Sequence, residues 1–240
     1  MSDNIREEFA PKWYSIFFNP FFIIRGQLYR AIKRNIKYVN SGDILDFGCG
    51  SKPYRSLFEV NSYTGLDYAT EVSSKNESLA ADVIYDGKTI PFGNDHFDGA
   101  FSSEVLEHVF NPDEILPELY RVLKPGAHLL LSCPFYWPEH EQPYDYARYS
   151  SFGLKHLMEK NGFEVVHYEK TGSYWDCLVQ GVVSYINYFI PRKPMWLHVI
   201  FFSVLITPVL LLGLLMSAIL PKRIKRSDFY LNNIIVVKKK

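Results

Sequence analysis

Cysteine is scarce in this sequence of 240 residues, which contains only Cys49, Cys133 and Cys177. Three widely spaced cysteines form neither a disulfide framework nor a zinc site with paired ligands, and they favour a reducing compartment. Net charge is also lacking, because 26 lysines and arginines balance 26 aspartates and glutamates. Without excess positive charge, the chain is not expected to bind nucleic acid.

A secretory signal, internal repeats and low-complexity tracts are missing as well. Asp3, Glu7 and Glu8 precede the first aromatic stretch, where a signal peptide would have a basic region. Hydrophobic residues make up 48% of the chain and charged residues 22%, which excludes disordered and collagen-like proteins. The length fits one domain of ordinary size.

The net charge of zero results from segregation along the chain. Residues 1–40 carry 7 positive and 3 negative side chains, residues 41–180 carry 10 and 22, and residues 181–240 carry 9 and 1. Two basic ends therefore flank an acidic middle. The ends suit an anionic membrane surface, and the middle suits a cationic ligand.

Both basic ends contain long hydrophobic runs. Trp196–Leu220 is 25 residues without Asp, Glu, Lys or Arg, and a helix of that length reaches about 37 Å, enough to cross a bilayer. Pro208 and Gly213 favour a kink or reversal inside it. Aromatic residues crowd 13–24, and Leu28–Val39 predicts a basic amphipathic helix. The alternative is helices packed on a soluble core or an oligomer interface.

The middle of the chain alternates predicted strands and helices. Short apolar strands are predicted at 42–47, 62–66, 83–85, 97–102, 128–133 and 163–168. Helices are predicted after Pro53, after Asn111 and after Ser150 or Ser151. Six strands separated by helices indicate a mostly parallel sheet with ligands at the carboxyl ends of its strands.

A glycine loop at the end of the first strand predicts a nucleoside ligand. Asp46-Phe47-Gly48-Cys49-Gly50 is followed by Asp67, 19 residues after Gly48, and by Asp86 after the third strand. These carboxylates suit the ribose hydroxyls and the adenine amino group. Pro53 stands where a dinucleotide fingerprint has its third glycine, and a Walker lysine is missing. We therefore expect a ligand without pyrophosphate whose cationic head faces Asp46.

These residues carry a resemblance to a known family. The run 44–50 resembles motif I of the class I S-adenosylmethionine-dependent methyltransferases, in which Asp67 and Asp86 match the ribose and adenine contacts. Residues 90–98, 102–109 and 123–126 resemble the surroundings of the family's fourth and fifth strands. The similarity is to bacterial type 11 methyltransferase-domain proteins, many of which accompany surface-glycan and lipid biosynthesis. Lys52 departs from the third glycine of many relatives.

The resemblance implies an α/β fold: a Rossmann-like, doubly wound, mostly parallel seven-stranded sheet with an antiparallel last strand. Leu231–Val237 is the candidate for that strand, and a hydrophobic helical membrane insert would then separate strands six and seven. The implied cofactor is S-adenosylmethionine. Its expected contacts are Asp46, Gly48, Cys49, Gly50, Asp67, Tyr68, Asp86, Gly87, Ser103 and Glu104.

The expected organisation has four parts. They are an aromatic and basic helical segment (1–40), the methyltransferase core (41–169), the hydrophobic insert (170–228), and the returning strand with a basic tail (229–240).

Catalytic candidates lie in the loop-like stretch 134–149, after the fifth strand. An oxygen nucleophile must lose a proton to a base within hydrogen-bond reach. We predict His140 as that base, Asp145 as its orienter or as an alternative base, and Arg148 as a partner for an anionic group of the acceptor. Adjacent residues in an extended chain point apart, so a metal site at 139–141 is disfavoured and no metal is expected.

The insert leaves the sheet and returns to it, which predicts a re-entrant hairpin or interfacial anchor with arms at Leu178–Ile190 and Trp196–Leu220. Cations on both flanks favour both ends remaining in the cytoplasm, at the inner face of the cell membrane. The expected partners are the membrane surface and a lipid-linked, glycan or small lipid acceptor.

The sequence therefore predicts a membrane-associated methyltransferase that acts on an oxygen of a glycan or lipid-linked intermediate. Two alternatives stay open. In the first, the chain is a methyltransferase whose acceptor is a quinone- or sterol-like lipid. In the second, the chain is a membrane adaptor that binds the cofactor without turnover. Release of S-adenosylhomocysteine separates the adaptor from both enzymes.

Overall fold

A seven-stranded sheet forms the centre of the computed structural model, which describes residues 7–68, 79–221 and 226–240. Its strand order is β3-β2-β1-β4-β5-β7-β6. The strands are β1 (Asp43–Phe47), β2 (Ser62–Tyr68), β3 (Val83–Tyr85), β4 (Phe97–Ser103), β5 (Leu123–Pro134), β6 (Phe163–Thr171) and β7 (Asn232–Lys239). The pairs from β3 to β5 are parallel, and β7 is antiparallel between β5 and β6. The predicted fold class is confirmed.

The strand order places a ligand site at the carboxyl ends of β1 and β4. The chain winds outward from β1 to β3 and then crosses back to β4 on the other side of β1. Open α/β sheets bind ligands in the crevice outside such a switch point. The glycine loop follows β1, and Glu104 follows β4.

The central strands are apolar because both faces of the sheet are covered. Leu129–Leu131 in β5 and Ile234–Val237 in β7 are almost fully buried. β5 begins at Leu123, five residues before the predicted start, because the register slips between the pairs Phe97–Leu123 and Gly99–His128. This irregularity accommodates the Lys-Pro-Gly sequence that was expected to lie before the strand.

Two predicted helices of the middle region are confirmed. Within the described residues, the α-helices with both bounds defined are, in chain order, α1 (Phe22–Asn35), α2 (Pro112–Val122), α3 (Ser151–Lys160), α4 (Tyr174–Phe189) and α5 (Met195–Ile219). Pro112 lies at the start of α2, where a missing N–H costs nothing. Ser150 caps α3, and its Oγ accepts the N–H of Gly153 at 3.2 Å.

The helix predicted after Pro53 is wrong. A single 3₁₀ turn, Arg55–Leu57, stands in its place. Only the 14 residues 48–61 connect β1 to β2, and the glycine turn occupies the first of them. Buried Tyr54 and Phe58 flank the turn, so the remaining chain packs as an irregular segment rather than as a crossover helix.

The first helix begins earlier than predicted. Its bounds were expected at Leu28–Val39, but α1 starts at Phe22 and a 3₁₀ turn, Ile36–Tyr38, follows its end. The aromatic stretch contributes to the helix because Ile23 and Ile24 are buried together with Leu28.

Residues 7–31 and 170–232 belong to one compact unit, and residues 32–169 and 233–240 to another. In the first unit α4 and α5 form a helical hairpin. The indole Nε1–H of Trp175 donates to the carbonyl of Gly213 at 2.9 Å. A Cβ on Gly213 would lie 2.5 Å from the Val179 side chain, so glycine is needed where the helices touch.

The helix α5 runs without reversal through the long apolar segment of the sequence. A π-helical turn, Phe202–Ile206, precedes Pro208, which lies at the start of the last helical segment. The chain reverses instead at residues 190–194. By length and composition α5 is able to cross a bilayer, and 28% of its most apolar window is buried.

Asn233, at the beginning of β7, forms a polar anchor in the sheet. Its Oδ1 accepts the Tyr168 hydroxyl at 2.6 Å, and its Nδ2 donates to the carbonyl of Tyr149 at 2.9 Å. The side chain is fully buried. One amide thus ties the last strand to β6 and to the segment before α3.

We expect Asn233→Ala to lower the free energy of unfolding by about 1–3 kcal/mol, because it deprives the half-buried Tyr168 hydroxyl and Tyr149 carbonyl of their partner. Urea denaturation of the full chain measures the loss. Tyr168→Phe is the matched control, since it removes only one of the two bonds. A larger loss for Tyr168→Phe than for Asn233→Ala would contradict the role of the amide.

Candidate functional site

The glycine loop after β1 is a tight turn beside open space. Gly48 has φ +72° and Gly50 has φ +48°, in the region that favours glycine. A Cβ on Gly48 would lie 2.4 Å from Val105, whereas a Cβ on Gly50 would meet no atom within 4 Å. The N–H groups of Gly48 and Cys49 both donate to the carbonyl of Leu66. The loop is therefore fixed to β2, and open space lies beside Gly50.

Asp67 connects β2 to the glycine loop. Its Oδ2 accepts the N–H of Gly50 at 2.7 Å, and its Oδ1 accepts the N–H of Tyr68 at 2.8 Å. Burial raises the pKa of Asp67 although these two backbone N–H groups oppose the shift. The carboxylate oxygens keep lone pairs for further donors, as a ribose diol requires.

Asp46, the last carboxylate of β1, is 3% exposed. The Tyr63 hydroxyl donates to its Oδ2 at 2.7 Å. Burial raises the pKa of Asp46 to about 7, the Tyr63 bond and Lys52 oppose this shift, and Asp67 adds to it. A cation placed nearby would stabilise the ionised form.

Asp82 is a site residue that the sequence did not single out. Lys52 Nζ lies 2.5 Å from Asp82 Oδ2, which also accepts the N–H of Gly65 at 2.7 Å. The positive charge of Lys52, the residue that departs from the family pattern, is thus balanced by Asp82, and its side chain is held along β2. Asp82 lies just before β3, where nothing in the local pattern distinguishes it from a turn residue.

The predicted adenine-side residues lie at the end of β3. Asp86 is exposed and its Oδ1 accepts the N–H groups of Lys88 and Thr89, both at 2.8 Å. Asp86 therefore closes a turn in addition to any ligand contact. Gly87 has φ +79°, and its Cβ would lie 3.0 Å from the Tyr68 ring. Tyr68 and Gly87 are adjacent, as a shared binding surface requires.

Ser103 and Glu104 lie at the end of β4 in a hydroxyl network. The Oγ atoms of Ser103 and Ser132 are 3.0 Å apart, and Ser132 Oγ donates to Glu104 Oε1 at 2.8 Å. Glu104 has φ +57°, an unusual conformation for a residue with a side chain. The sequence does not single out Ser132, which belongs to β5 and faces β4 only after the sheet has formed.

The loop after β5 brings the three predicted catalytic residues together. Asp145 Oδ2 accepts the backbone N–H of His140 at 2.9 Å and lies 3.2 Å from His140 Nδ1. Arg148 binds both carboxylate oxygens of Asp145, at 2.5 and 2.7 Å. Burial opposes ionisation, yet the bonds from Arg148 and His140 lower the pKa of Asp145 to about 2. Asp145 is therefore an anion beside the imidazole.

Arg148 braces this loop with all of its donors. Besides Asp145, its guanidinium donates to the carbonyls of Trp137, Pro138 and Ala147 at 3.2, 3.2 and 2.7 Å. The five N–H groups of a guanidinium are thereby occupied. This geometry fits a structural role rather than the anion-binding role predicted for Arg148.

A second imidazole and a buried carboxylate face His140. His108 Nε2 lies 3.2 Å from His140 Nε2 and 3.8 Å from Glu107 Oε1. Glu107 is fully buried, and its carboxylate oxygens have no hydrogen-bond partner in the described part of the chain. Burial, together with Glu104, raises the pKa of Glu107 well above its usual range. Burial and His108 lower the pKa of His140.

Comparison with known proteins agrees with this architecture. A family model described as a methyltransferase domain matches residues 24–168. An S-adenosylmethionine-dependent methyltransferase from Mesorhizobium loti shares the fold, with a TM-score of 0.53 and 14% identity over 89% of this chain and 98% of that one.

Relatives that match in sequence include both C- and O-methyltransferases. The ubiquinone/menaquinone biosynthesis C-methyltransferase UbiE of Geotalea daltonii is 30% identical over 42% of this chain and 48% of its own. The O-methyltransferase rstn1 of Aspergillus nomiae is 25% identical over 59% of this chain and 73% of its own. The match thus spans about half the length of the quinone methyltransferase. The glycine loop, the sheet topology and these matches show that the chain belongs to the methyltransferase-domain family and has the class I S-adenosylmethionine-dependent methyltransferase fold.

Proposed function

We propose that this chain is a membrane-associated O-methyltransferase whose acceptor is a glycan or lipid-linked intermediate. The observation that carries the proposal is that one chain combines a methyltransferase domain with a helical hairpin whose apolar side chains are exposed. Separate parts of the described chain support the cofactor, the acceptor and the membrane in this proposal.

The glycine loop fits the cofactor. Gly50 borders open space, Asp67 offers oxygens for the ribose, and Asp46 offers a buried negative charge to a cationic head. When bound, S-adenosylmethionine supplies an electrophilic methyl group on a sulfonium. The protein contributes alignment and exclusion of water, since the transfer is an in-line displacement.

In this proposal the acceptor hydroxyl loses its proton to the cluster formed by Glu107, His108 and His140. The cluster lies in the loops after β4 and β5, and the loop after β4 also holds Glu104. The carbonyl of Glu107 accepts the N–H groups of Tyr146 and Ala147, so the loop that carries His140 is fixed against the β4 side of the site. Preorganised groups of this kind are what general base catalysis requires.

One face of α4 supports membrane binding. Leu178, Val182, Tyr185 and Phe189 follow the spacing of a helix face and are 50, 48, 69 and 65% exposed. The opposite face, which includes Val179 and Val183, is buried. Exposed apolar faces of this extent mark interaction surfaces.

The helix α5 adds apolar surface in the same unit. Trp196, Val204, Leu212, Leu215 and Ile219 are among its side chains that are more than half exposed. Basic residues precede α5 and follow it in the sequence, which suits a bilayer with anionic headgroups. A lipid phase is therefore the occupant that matches this surface in both polarity and charge.

The chain path favours a hairpin over a single crossing. It leaves the sheet after β6 and returns to the same sheet as β7. A single crossing would place the two strands on opposite sides of the bilayer. Both ends of the hairpin consequently belong on the side of the catalytic domain, which we propose to be the cytoplasmic face of the cell membrane.

The UbiE relative favours a second candidate, methylation of a carbon in a quinone-like lipid. Such an acceptor also resides in the membrane. It differs in the bond that forms, because a ring carbon rather than a hydroxyl oxygen receives the methyl group.

The proposal is tested by incubating the full chain with labelled S-adenosylmethionine and a membrane extract. We expect release of S-adenosylhomocysteine and label in the lipid fraction as a methyl ether. Asp67→Ala is the control that should abolish both by loss of cofactor binding. Label on a ring carbon would establish the quinone alternative. Cofactor binding without turnover would contradict the proposal that the chain is an enzyme and would support the membrane adaptor.

Membrane association is tested by vesicle flotation. We expect the combined change Val182→Glu, Tyr185→Glu and Phe189→Glu to reduce binding to phosphatidylglycerol-containing vesicles at least about tenfold, because each buried apolar side chain contributes about 1.5–3 kcal/mol. Phe152→Glu is the matched control, since Phe152 is 84% exposed on α3 in the other unit. Equal flotation of both variants would contradict the role of α4.

Cofactor affinity should depend on the ionisation of Asp46. Burial raises its pKa to about 7 in the free protein, and a bound cation lowers it, so binding tightens as the pH rises through this value. If only the carboxylate form binds, the Kd at pH 6 is about tenfold higher than at pH 8. Calorimetric titration measures it, and Asp46→Asn should bind more weakly with a flatter profile. An equally steep profile in Asp46→Asn would exclude Asp46 as the titrating group.

A further inference from the structure

Three potential ligand atoms converge at the cluster formed by Glu107, His108 and His140. One atom from each residue lies within 4.8 Å of the other two. His108 Nε2 is 3.2 Å from His140 Nε2 and 3.8 Å from Glu107 Oε1. The three residues come from two segments, the turn after β4 and the loop after β5, that the sheet brings together.

The groups around the two imidazoles indicate where their ring hydrogens lie. His108 Nδ1 is 2.8 Å from the carbonyl oxygen of Tyr144, which only accepts, so this nitrogen carries the hydrogen. His140 Nδ1 is 3.2 Å from the Asp145 carboxylate and 3.5 Å from Arg148 Nη2, and the closer, anionic neighbour favours the tautomer that has its hydrogen on Nδ1. In the neutral rings both Nε2 atoms then hold lone pairs. Two lone pairs that face each other at 3.2 Å repel unless a cation lies between them.

Glu107 supplies the negative charge for such a cation. Its side chain is 1% exposed, and both carboxylate oxygens are without hydrogen bonds among the described residues. A buried polar group that has no partner is costly, and a buried carboxylate more so. The carboxylate is adjacent to the two lone pairs, where a cation would satisfy all three groups together.

We propose that Glu107, His108 and His140 bind one divalent transition-metal ion, and that the ligand set fits Zn²⁺. Ligand atoms on a tetrahedral zinc ion with bonds of about 2.0–2.2 Å are about 3.3 Å apart, close to the observed separation of the imidazoles. The outer nitrogens lie 2.8 Å from a carbonyl oxygen and 3.2 Å from a carboxylate oxygen, the kinds of group that orient metal-bound histidines. Two histidines and one carboxylate leave one position open.

The role of the ion rests on the proposed function. An acceptor hydroxyl at the open position would lose its proton more readily, because a bound divalent cation lowers the pKa of a coordinated oxygen. The proton passes to solvent through the exposed Glu141 carboxylate, which lies 4.0 Å from His108 Nε2. The oxygen then takes the methyl group from the sulfonium, and S-adenosylhomocysteine leaves as a neutral thioether.

Metal binding is measured on the full chain without cofactor or acceptor, so the result is independent of methyl transfer. The protein is stripped with a chelator and titrated with Zn²⁺, and bound metal is quantified by mass spectrometry. We expect one equivalent per chain. We expect Glu107→Gln and His140→Gln to weaken binding at least about 100-fold. His156→Ala, which removes an exposed histidine of α3, should keep one equivalent.

Folding of the variants is checked by their affinity for S-adenosylmethionine, which the glycine loop provides. Substitution with Co²⁺ offers a second readout, since a tetrahedral site with imidazole ligands gives a visible absorption band that His140→Gln should abolish. Absence of Zn²⁺ binding by the stripped protein would overturn the proposal, and so would equal affinity in Glu107→Gln. A proton shared by the two imidazoles would then account for their geometry, and the proposed methyl transfer would be unaffected.

Discussion

The last strand of this protein has to pass between β5 and β6, and much of the structure depends on that constraint. β7 is almost entirely buried, and the side-chain amide of Asn233 hydrogen-bonds to β6 and to the segment before α3. The sheet is complete only when the end of the chain has returned. The hairpin is therefore an insertion within the domain, and its two ends connect to the neighbouring strands β6 and β7.

The electrostatics of the site follow from a concentration of carboxylates around one loop. Asp46, Asp67 and Asp82 surround the glycine turn, and the nearby lysine is neutralised by Asp82. A neutral or anionic ligand would gain nothing from this arrangement. A sulfonium cofactor carries the complementary charge. Part of the net negative charge of the middle region is therefore concentrated where the cofactor's positive charge would lie.

Local features of the site were predictable from the sequence, and long-range ones were not. The glycine loop and Asp67 are encoded by spacing along one strand-turn-strand unit, which explains why they lie where expected. The helix after Pro53 was not predictable, since its absence depends on how few residues connect two strands. His108 and His140 are 32 residues apart, and their contact requires the Glu107 carbonyl to hold the loop. The brace formed by Arg148 likewise exists only in the folded loop.

The turn between the two hairpin helices has a consequence for how deep the protein enters a bilayer. Arg192 and Lys193 are exposed there, next to the aromatic residues Tyr188 and Trp196. A lysine or arginine at the bilayer centre costs about 2.5–3.5 kcal/mol on insertion scales, whereas aromatic side chains favour the headgroup level. Within the proposed association, this turn stays at the headgroup level. The hairpin then lies along the boundary between the headgroups and the acyl chains. The protein would then sample the outer few ångströms of one leaflet, where the polar end of a lipid-linked acceptor resides.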